Sequence, residues 1–147
     1  MANETTGETH PETPDLLRTI EPWRCLQLVE AVPFGRLATV DAGRPLVVVV
    51  NHIVDEGDIF IRTRPEARLG RLTESGRVVP AVYEVDSGFP AGQSGWSVMA
   101  TGVLQREHGE SRAARMRSRL TAWAQGERDV VLHLEVQDLT GRAVGRP

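Results

Sequence analysis

One stretch organises the sequence: Ile59-Phe60-Ile61-Arg62-Thr63-Arg64-Pro65-Glu66-Ala67-Arg68-Leu69. Its first residues are β-branched and aromatic, which predicts a strand. Pro65 then favours the first turn of a short helix, because proline has no N–H to lose there. Guanidinium groups, the Thr63 hydroxyl and the N–H groups of a helix start are donors that bind phosphate. The stretch therefore predicts an anion site at the strand end, although solvated surface arginines would give the same local pattern.

Length and composition are those of one globular domain. The chain has 147 residues, of which 40% are hydrophobic and 25% are charged, enough to bury a core. The net charge of −3 gives no overall basic field, so nucleic-acid binding is not expected. No apolar run has the length of a membrane span and no signal peptide opens the chain, so we expect no membrane partner and a cytoplasmic protein.

The first residues differ in composition from the rest. Residues 1–14 are rich in Thr, Glu and Pro, which predicts a disordered tail before a single domain over residues 15–147. Cys25 is the single cysteine, which excludes an internal disulfide framework and a multi-cysteine zinc site, and we expect it to be a small buried hydrophobe. The four histidines lack ligand spacing, so no dedicated metal site is expected.

The first half of the chain reads as a helix followed by strands. Apolar spacing is helical from about Asp15 to Val32, and Pro22 must begin the firm helix over residues 22–31. Strands are predicted over residues 36–40 and 46–50, and the second is apolar at every position, which indicates burial on both faces or closure into a barrel. With the strand at Ile59, tight turns alone separate these three strands, which predicts an antiparallel meander.

The second half adds three strands and two helices. The predicted elements are a helix over 65–74, strands over 78–85 and 96–104, a helix over 107–125 with a solvated arginine face, a strand over 129–136 that exposes His133, and a short edge segment at 140–142. About six strands with helices predict a mainly β fold, a small antiparallel barrel. The sequence has no P-loop, dinucleotide fingerprint or Ser/His/Asp grouping.

Six short motifs follow one another with a defined order and spacing. They are Val32-Pro33-Phe34-Gly35-Arg36-Leu37-Ala38, Pro45-Leu46-Val47-Val48-Val49-Val50-Asn51, Ile59-Phe60-Ile61-Arg62-Thr63, Val82-Tyr83-Glu84-Val85-Asp86, Gly95-Trp96-Ser97-Val98 and Thr101-Gly102. Over about Leu16 to Gly141 the chain resembles the pyridoxamine 5′-phosphate oxidase-like family of FMN-binding split barrels, in particular its small actinobacterial flavin-nucleotide-binding members. The resemblance implies a split β-barrel and FMN as cofactor.

The resemblance also implies a site and an assembly. In similar proteins the strand end at Arg62-Thr63 and a basic residue on the next helix hold the FMN phosphate, and the strand matching residues 48–51 lies along the isoalloxazine ring. The region of His52 and of the strand start at Trp96 borders the ring or comes from a dimer partner. The implied cofactor-binding residues are Val48, Val49, Val50, Asn51, His52, Arg62, Thr63, Arg64, Arg68, Trp96 and Ser97, with no catalytic side chain. The expected assembly is a homodimer with the cofactor at its interface.

The expected function is therefore FMN binding, with a flavin-dependent oxidoreductase activity. Relatives that oxidise pyridoxamine phosphate carry a further basic C-terminal segment, whereas this sequence ends soon after Arg142, so we do not expect that substrate. One alternative is a deazaflavin cofactor, whose acidic tail would use a basic groove formed by Arg62, Arg64, Arg68 and Arg71. Another is a ligand-sensing or interaction module without a cofactor. His52 stands where relatives more often have an aromatic residue, and stacking on the ring, substrate binding and space filling remain open for it.

Overall fold

The structure is a computed structural model that describes residues 17–88, 94–120 and 130–145. The predicted tail at residues 1–14 lies outside these ranges. The strands are β1 (Leu17–Ile20), β2 (Phe34–Asp41), β3 (Arg44–Asn51), β4 (Ile53–Asp55), β5 (Asp58–Thr63), β6 (Val79–Asp86), β7 (Gly95–Arg106) and β8 (Val130–Val144), and the helices are α1 (Pro22–Ala31), α2 (Arg68–Leu72) and α3 (Glu110–Arg119), with a 3₁₀ turn at Glu74–Gly76. The predicted fold class is confirmed: the fold is mainly β with helices, and its antiparallel sheet curls as in a split barrel. The described residues form eight strands rather than six, because β1 and β4 were not predicted.

The strands form one sheet with the order β3-β2-β6-β7-β8-β5-β4, and β1 pairs with β8 beside this path. The β2–β3 hairpin is as predicted, and its turn has positive φ at Ala42 and Gly43. The predicted three-strand meander is wrong, because the chain leaves β3 at one end of the sheet and enters β4 at the other. β5 pairs with β8 instead, which buries Ile59 and Ile61 completely or nearly so. The strands at the two ends of this order, β3 and β4, are not paired with each other, and the gap between them is the split of the barrel.

The first helix confirms the prediction from proline. α1 covers Pro22 to Ala31, with Pro22 in its first turn and Cys25 fully buried. The helical pattern upstream is wrong, because Leu17–Ile20 is a strand that pairs with residues 141–144. A proline disfavours the helical region for the residue before it, which separates this strand from the helix. β2 begins at Phe34, two residues before the strand predicted over residues 36–40.

The helix predicted over residues 65–74 is shorter than expected. α2 begins at Arg68 and ends at Leu72, so Pro65 lies before it and the predicted N–H donors of a helix start at Pro65 are not formed. Gly70 explains the tight geometry, since a Cβ there would lie 2.3 Å from the Arg64 carbonyl oxygen and 2.5 Å from that of Pro65. The backbone of residues 64–65 is therefore packed directly against α2.

The C-terminal elements also depart from the prediction. β8 runs unbroken through residues 140–142 between β7 on one side and β5 and β1 on the other, so this segment is not an edge. His133 is not exposed: its side chain is 12% accessible, stacks on Phe60 with ring centroids 4.7 Å apart, and lies 2.6 Å from an Asp58 oxygen. α3 covers residues 110–119, so the helix begins three residues later than predicted. Residues 121–125 of the predicted helix lie outside the described residues.

The sheet has a covered inner face and an outer face that is partly apolar and exposed. Leu37, Tyr83 and Ala100 lie in the core on the inner face. β3 was expected to be buried on both faces or closed into a barrel. Val47 and Val49 are each 62% exposed on the outer face, so the first of these alternatives is wrong for the single chain. None of the described helices is long and apolar enough to cross a membrane.

Candidate functional site

A cavity of about 340 Å³ lies in the split between β3 and the end of β5, and α2 closes one side. Its volume lies within the range of about 300–1,000 Å³ that is usual for small-molecule sites. The lining residues are Val48, Val49, Val50, Arg62, Thr63, Arg64, Ala67, Arg68 and Leu69. The structure thus brings seven of the eleven predicted site residues to one cavity, from segments that are distant in the sequence.

Arg68 stands at the α2 side of the cavity, held by a carboxylate. Its Nε and Nη2 both donate to Oδ2 of Asp41, at 3.0 and 2.7 Å, and its side chain remains 53% exposed. These two bonds use one edge of the guanidinium and orient the Nη1 end. Asp41 ends β2, so the β2–β3 hairpin fixes where the Arg68 charge is presented.

Arg62 has a second role besides lining the cavity. It follows Phe60 on the α3 side of β5, and its Nη1 donates to the carbonyl oxygens of Arg117 and Leu120, at 3.2 and 3.1 Å. These carbonyls belong to the last turn of α3, where the helix dipole favours a cation. Arg62 therefore links the cavity wall to the C-terminal end of α3.

Thr63 and Arg64 complete the end of β5. Thr63 is buried, on the same side of the strand as Ile59 and Ile61, and lines the cavity. Arg64 is half exposed and its Nε lies 3.6 Å from Glu66, a solvent-screened pair that leaves the guanidinium adaptable. Hydroxyl and guanidinium donors therefore converge at one end of the cavity, which is what an anion requires.

A smaller hollow of about 90 Å³ adjoins this end. It is lined by Asp41, Arg68, Arg71, Leu72 and Arg77, and it shares Arg68 with the cavity. The positive charge therefore continues beyond the cavity along α2.

His52 lies outside the cavity, in a buried hydrogen-bond network. Its Nε2 is 2.8 Å from the Val29 carbonyl oxygen, and its Nδ1 is 2.7 Å from the Tyr83 hydroxyl. Its ring packs edge-on to that of Tyr83, with centroids 5.0 Å apart. Burial lowers the pKa of His52, against the opposing effect of the bond to Val29. Burial, with a smaller contribution from the charge of Glu84, raises the pKa of Tyr83.

The other predicted residues also lie away from the cavity lining. Asn51 pairs with Phe34 at the end of the β2–β3 hairpin. Trp96 and Ser97 pair with Ala143 and Arg142 at the start of β7, and Trp96 packs against the edge of the core. Within one chain the structure does not bring these three residues to the cavity.

Two residues of the site region were missed. Asp41 lies between the strands predicted over residues 36–40 and 46–50 and was given no role, because its contact with Arg68 spans 27 positions. Tyr83 was read as one residue of a strand, although a lone tyrosine among valines is a signal, since a buried hydroxyl needs a partner. Among the described residues, no group of three or more His, Cys, Asp or Glu side chains could hold a metal ion.

Comparison with known proteins shows where this fold and sequence occur. Residues 21–143 match the family described as pyridoxamine 5′-phosphate oxidase. The uncharacterized protein Rv0080 of Mycobacterium tuberculosis is 32% identical over 119 residues, 79% of this chain and 78% of that protein.

Solved structures show the same fold at lower identity. A FAD-binding protein of Mycobacterium smegmatis superposes with a TM-score of 0.69 at 20% identity, covering 86% of this chain and 97% of the other. A FAD-binding protein of Mesorhizobium loti gives a TM-score of 0.72 at 18% identity, covering 88% and 99%. The sequence match spans most of the chain and these structures share its split-barrel fold, and the chain therefore belongs to the pyridoxamine 5′-phosphate oxidase family.

Proposed function

We propose that the protein binds a flavin nucleotide, FMN, in the cavity between β3 and β5, and acts as a flavin-dependent oxidoreductase. The observation that carries the proposal is the composition of the cavity wall: arginine and threonine donors at one end, and the backbone edge of residues 48–50 along the side. A phosphate fits the first part and a flat, partly polar ring fits the second.

In this proposal each residue has a binding or orienting role. Arg68, held by Asp41, and Arg64 contact the phosphate, and the Thr63 hydroxyl donates to it. Each charge-assisted bond of this kind contributes about 1.5–3 kcal/mol net. The backbone of Val48 to Val50 hydrogen-bonds the ring edge, so that binding needs no dedicated side chain there. The flavin, when bound, supplies the hydride or electron chemistry, while the protein supplies orientation and electrostatics.

The relatives support a flavin nucleotide of this general kind. The structures from M. smegmatis and M. loti are described as FAD-binding proteins and share the fold. FAD carries the same ring and an additional nucleotide, so it belongs in the same experiment as FMN.

The test is a titration of purified protein with FMN, FAD and a deazaflavin cofactor, followed by flavin fluorescence. We expect FMN to bind, and Arg68→Ala to weaken binding about tenfold or more, from the loss of one charge-assisted bond. Arg24→Ala is the matched control, because Arg24 is an exposed arginine on α1 that bonds to Gln27 and does not line the cavity. Equal FMN affinity in the Arg68 and Arg24 variants would place the phosphate elsewhere, and a folded protein that binds none of the three cofactors would leave the cofactor-free sensing or interaction module.

The second candidate is the deazaflavin cofactor, and the hollow beside the cavity favours it. Arg71 and Arg77 extend the positive charge past Arg68, as the acidic tail of that cofactor requires. If the deazaflavin is the ligand, Arg71→Ala weakens its binding severalfold and leaves FMN binding unchanged. Equal loss for both cofactors would speak against an extended groove.

We also propose a homodimer formed through the outer face of β2, β3, β6 and β7. The exposed apolar residues there include Phe34, Val40, Val47, Val49 and Met99, and a shallow apolar groove lies between them along β2, β6 and β7. So large an apolar surface on a small domain is typical of an interface. Val49 both lines the cavity and is exposed on this face, so a partner here would border the cofactor.

Sedimentation equilibrium tests the dimer. Val47→Glu places a charge on the outer face and is expected to give a folded monomer. Leu17→Glu is the control, because Leu17 is similarly exposed, at 54%, but belongs to β1 away from this face. A dimer that persists in Val47→Glu and dissociates in Leu17→Glu would assign the interface to the opposite region.

A further inference from the structure

A buried chain of hydrogen bonds connects the end of α1 to the wall of the cavity. His52 is 7% exposed and Tyr83 is 1% exposed. The chain runs from the Val29 carbonyl oxygen to His52, then to the Tyr83 hydroxyl, which is 3.1 Å from the carbonyl oxygen of Val50. Val50 lines the cavity, so this series of hydrogen bonds ends at a residue of the candidate site.

Gly35 lets Tyr83 reach β3. Tyr83 lies on β6, two strands away from β3, and its ring crosses β2 at Gly35. A Cβ at Gly35 would lie 2.7 Å from Cζ and 2.8 Å from the hydroxyl oxygen of Tyr83. The position of the hydroxyl is therefore fixed by its surroundings.

The donors and acceptors define the arrangement when His52 is neutral. A carbonyl oxygen only accepts, so His52 Nε2 carries the hydrogen and donates to Val29. Nδ1 is then an acceptor, and the Tyr83 hydroxyl donates its one hydrogen to it. The distances agree, since Nδ1 is 2.7 Å from this hydroxyl and the Val50 oxygen is 3.1 Å away. In this state the Val50 carbonyl oxygen accepts at most a weak hydrogen bond from Tyr83.

Protonation of His52 reverses the direction of one bond. Nδ1 becomes a donor to the Tyr83 oxygen, and the hydroxyl hydrogen is free to turn to the Val50 carbonyl. Tyr83 keeps its own proton in both states, because burial raises its pKa. One proton on His52 thus strengthens one hydrogen bond to the cavity wall.

We propose that Tyr83 transmits the protonation state of His52 to the Val50 carbonyl, and that this pair of positioning residues makes ligand binding in the cavity depend on pH. The coupling of His52 to the Val50 carbonyl concerns the protein alone. The pH dependence of ligand binding rests on the flavin function proposed above. A Val50 carbonyl engaged by Tyr83 is a poorer acceptor for a ring N–H of the ligand, so protonation weakens binding.

The charged groups around His52 are few and identifiable. A hollow of about 260 Å³ is lined by His52, Glu30 of α1, Arg119 of α3, Ile53 and Val54. This hollow gives solvent a route to the ring, with charges of opposite sign from two helices. Tyr83 of β6 completes the surroundings, with Glu84 next to it in the strand. Burial lowers the pKa of His52, so the change takes place below the usual histidine range.

The experiment follows three signals through an acid titration by NMR, without any ligand. They are the ring nitrogens of His52, the carbonyl carbon of Val50 and the amide nitrogen of Asn51. We expect the neutral form to carry its hydrogen on Nε2, and the Val50 and Asn51 signals to move with the midpoint of His52. In Tyr83→Phe, which keeps the ring and removes the hydroxyl, His52 still titrates and the Val50 signal no longer follows. His133→Gln is the control, because His133 contacts Asp58 and takes no part in the hydrogen bonds of His52 and Tyr83. In this variant the Val50 signal must still follow the titration of His52.

The outcomes separate this inference from the proposed function. Three results would each overturn the inference. The Val50 signal could stay constant while His52 titrates, it could follow His52 equally in Tyr83→Phe, or the His52 ring could stay neutral until the protein unfolds. The ligand half is tested by FMN titration on both sides of the His52 midpoint. We expect about fivefold weaker binding on the acid side in the native protein, the equivalent of one hydrogen bond, and no such step in Tyr83→Phe. If FMN fails to bind at any pH, the flavin proposal falls and the NMR result alone decides the proton coupling.

Discussion

Asp55 fixes α3 to the sheet, and its removal gives a prediction with a defined size. The Asp55 carboxylate, at the end of β4, accepts from Arg115 at 2.8 Å and from Arg119 at 2.7 Å, with Arg112 at 3.9 Å. Its side chain is 15% exposed, whereas those of Arg115 and Arg119 are 54% and 43% exposed. Because the arginines are half exposed to solvent, each hydrogen-bonded pair stabilises the fold by no more than a surface ion pair does, up to about 1 kcal/mol. We expect Asp55→Asn to lower the free energy of unfolding by about 1–2 kcal/mol.

The pH dependence of this loss identifies its cause. Burial acts to raise the pKa of Asp55, but the hydrogen bonds and charges of Arg119 and Arg115 outweigh it and hold the pKa below its usual value. A carboxylate whose pKa is depressed by folding stabilises the protein above the unfolded pKa and loses that effect as pH falls through the folded one. The difference between the native protein and Asp55→Asn is therefore full at pH 7 and shrinks below about pH 4.

Urea denaturation at pH 7 and at acid pH measures both effects. Glu56→Gln is the matched control, since Glu56 is 77% exposed and lies 3.5 Å from Arg112, so its loss should cost at most a few tenths of a kcal/mol. Amide exchange in α3 should quicken in Asp55→Asn and stay unchanged in Glu56→Gln. If the two variants are equally stable, or if the Asp55 effect is as large at acid pH as at pH 7, the ion-pair account of α3 docking is refuted.

Three further predictions concern close contacts and the buried histidine. Gly35→Ala should lower the free energy of unfolding by about 1–3 kcal/mol, because the new Cβ would lie 2.7 Å from Tyr83 Cζ; urea denaturation measures it, and native stability would contradict the packing. Gly141→Ala would place a Cβ 2.5 Å from Cys25 Sγ, so we expect faster maleimide labelling of Cys25 in the folded variant, and unchanged labelling would count against this contact. Because burial lowers the pKa of His52 in the folded state, the unfolded state binds the proton first as pH falls. Unfolding free energy should therefore drop below about pH 6.5 by up to about 1.4 kcal/mol per pH unit, and a His52→Gln variant with the same acid dependence would rule this out.

The sequence predicted the local structure of this protein better than its pairings. The start of α1 at Pro22 and the β2–β3 turn follow from the conformations that proline and glycine favour, which neighbouring residues can specify. The position of β5 in the sheet does not follow from residues close to it in the sequence. A tight turn beside β5 suggested a meander, whereas its partner strand is β8, and the contact between Asp58 and His133 spans 75 positions. The strand β1 was hidden by apolar spacing that suits both a helix and a half-covered strand.

The cavity was predictable in part for the same reason. Arg62, Thr63 and Arg64 are adjacent in the sequence, so their convergence at a strand end could be expected. Their ion-pair and hydrogen-bond partners could not, since Asp41 reaches Arg68 across 27 positions and Arg62 binds carbonyls of α3 across more than 50. Such contacts depend on the order of the strands in the sheet, so they cannot be predicted when the predicted strand order is wrong.

β3 shows how one pattern can be wrong for a chain and still be informative. Five consecutive apolar residues from Leu46 to Val50 predicted burial on both faces or closure into a barrel, and in the single chain Val47 and Val49 are exposed on one face. Selection acts on the assembled protein, so a sequence pattern reports burial in the assembly rather than in one chain. The exposed residues lie beside the cavity, on the face where we propose the partner to bind. In that proposal the same strand contributes its backbone edge to the cofactor and its outer side chains to the interface, which is why none of the five residues from Leu46 to Val50 is polar.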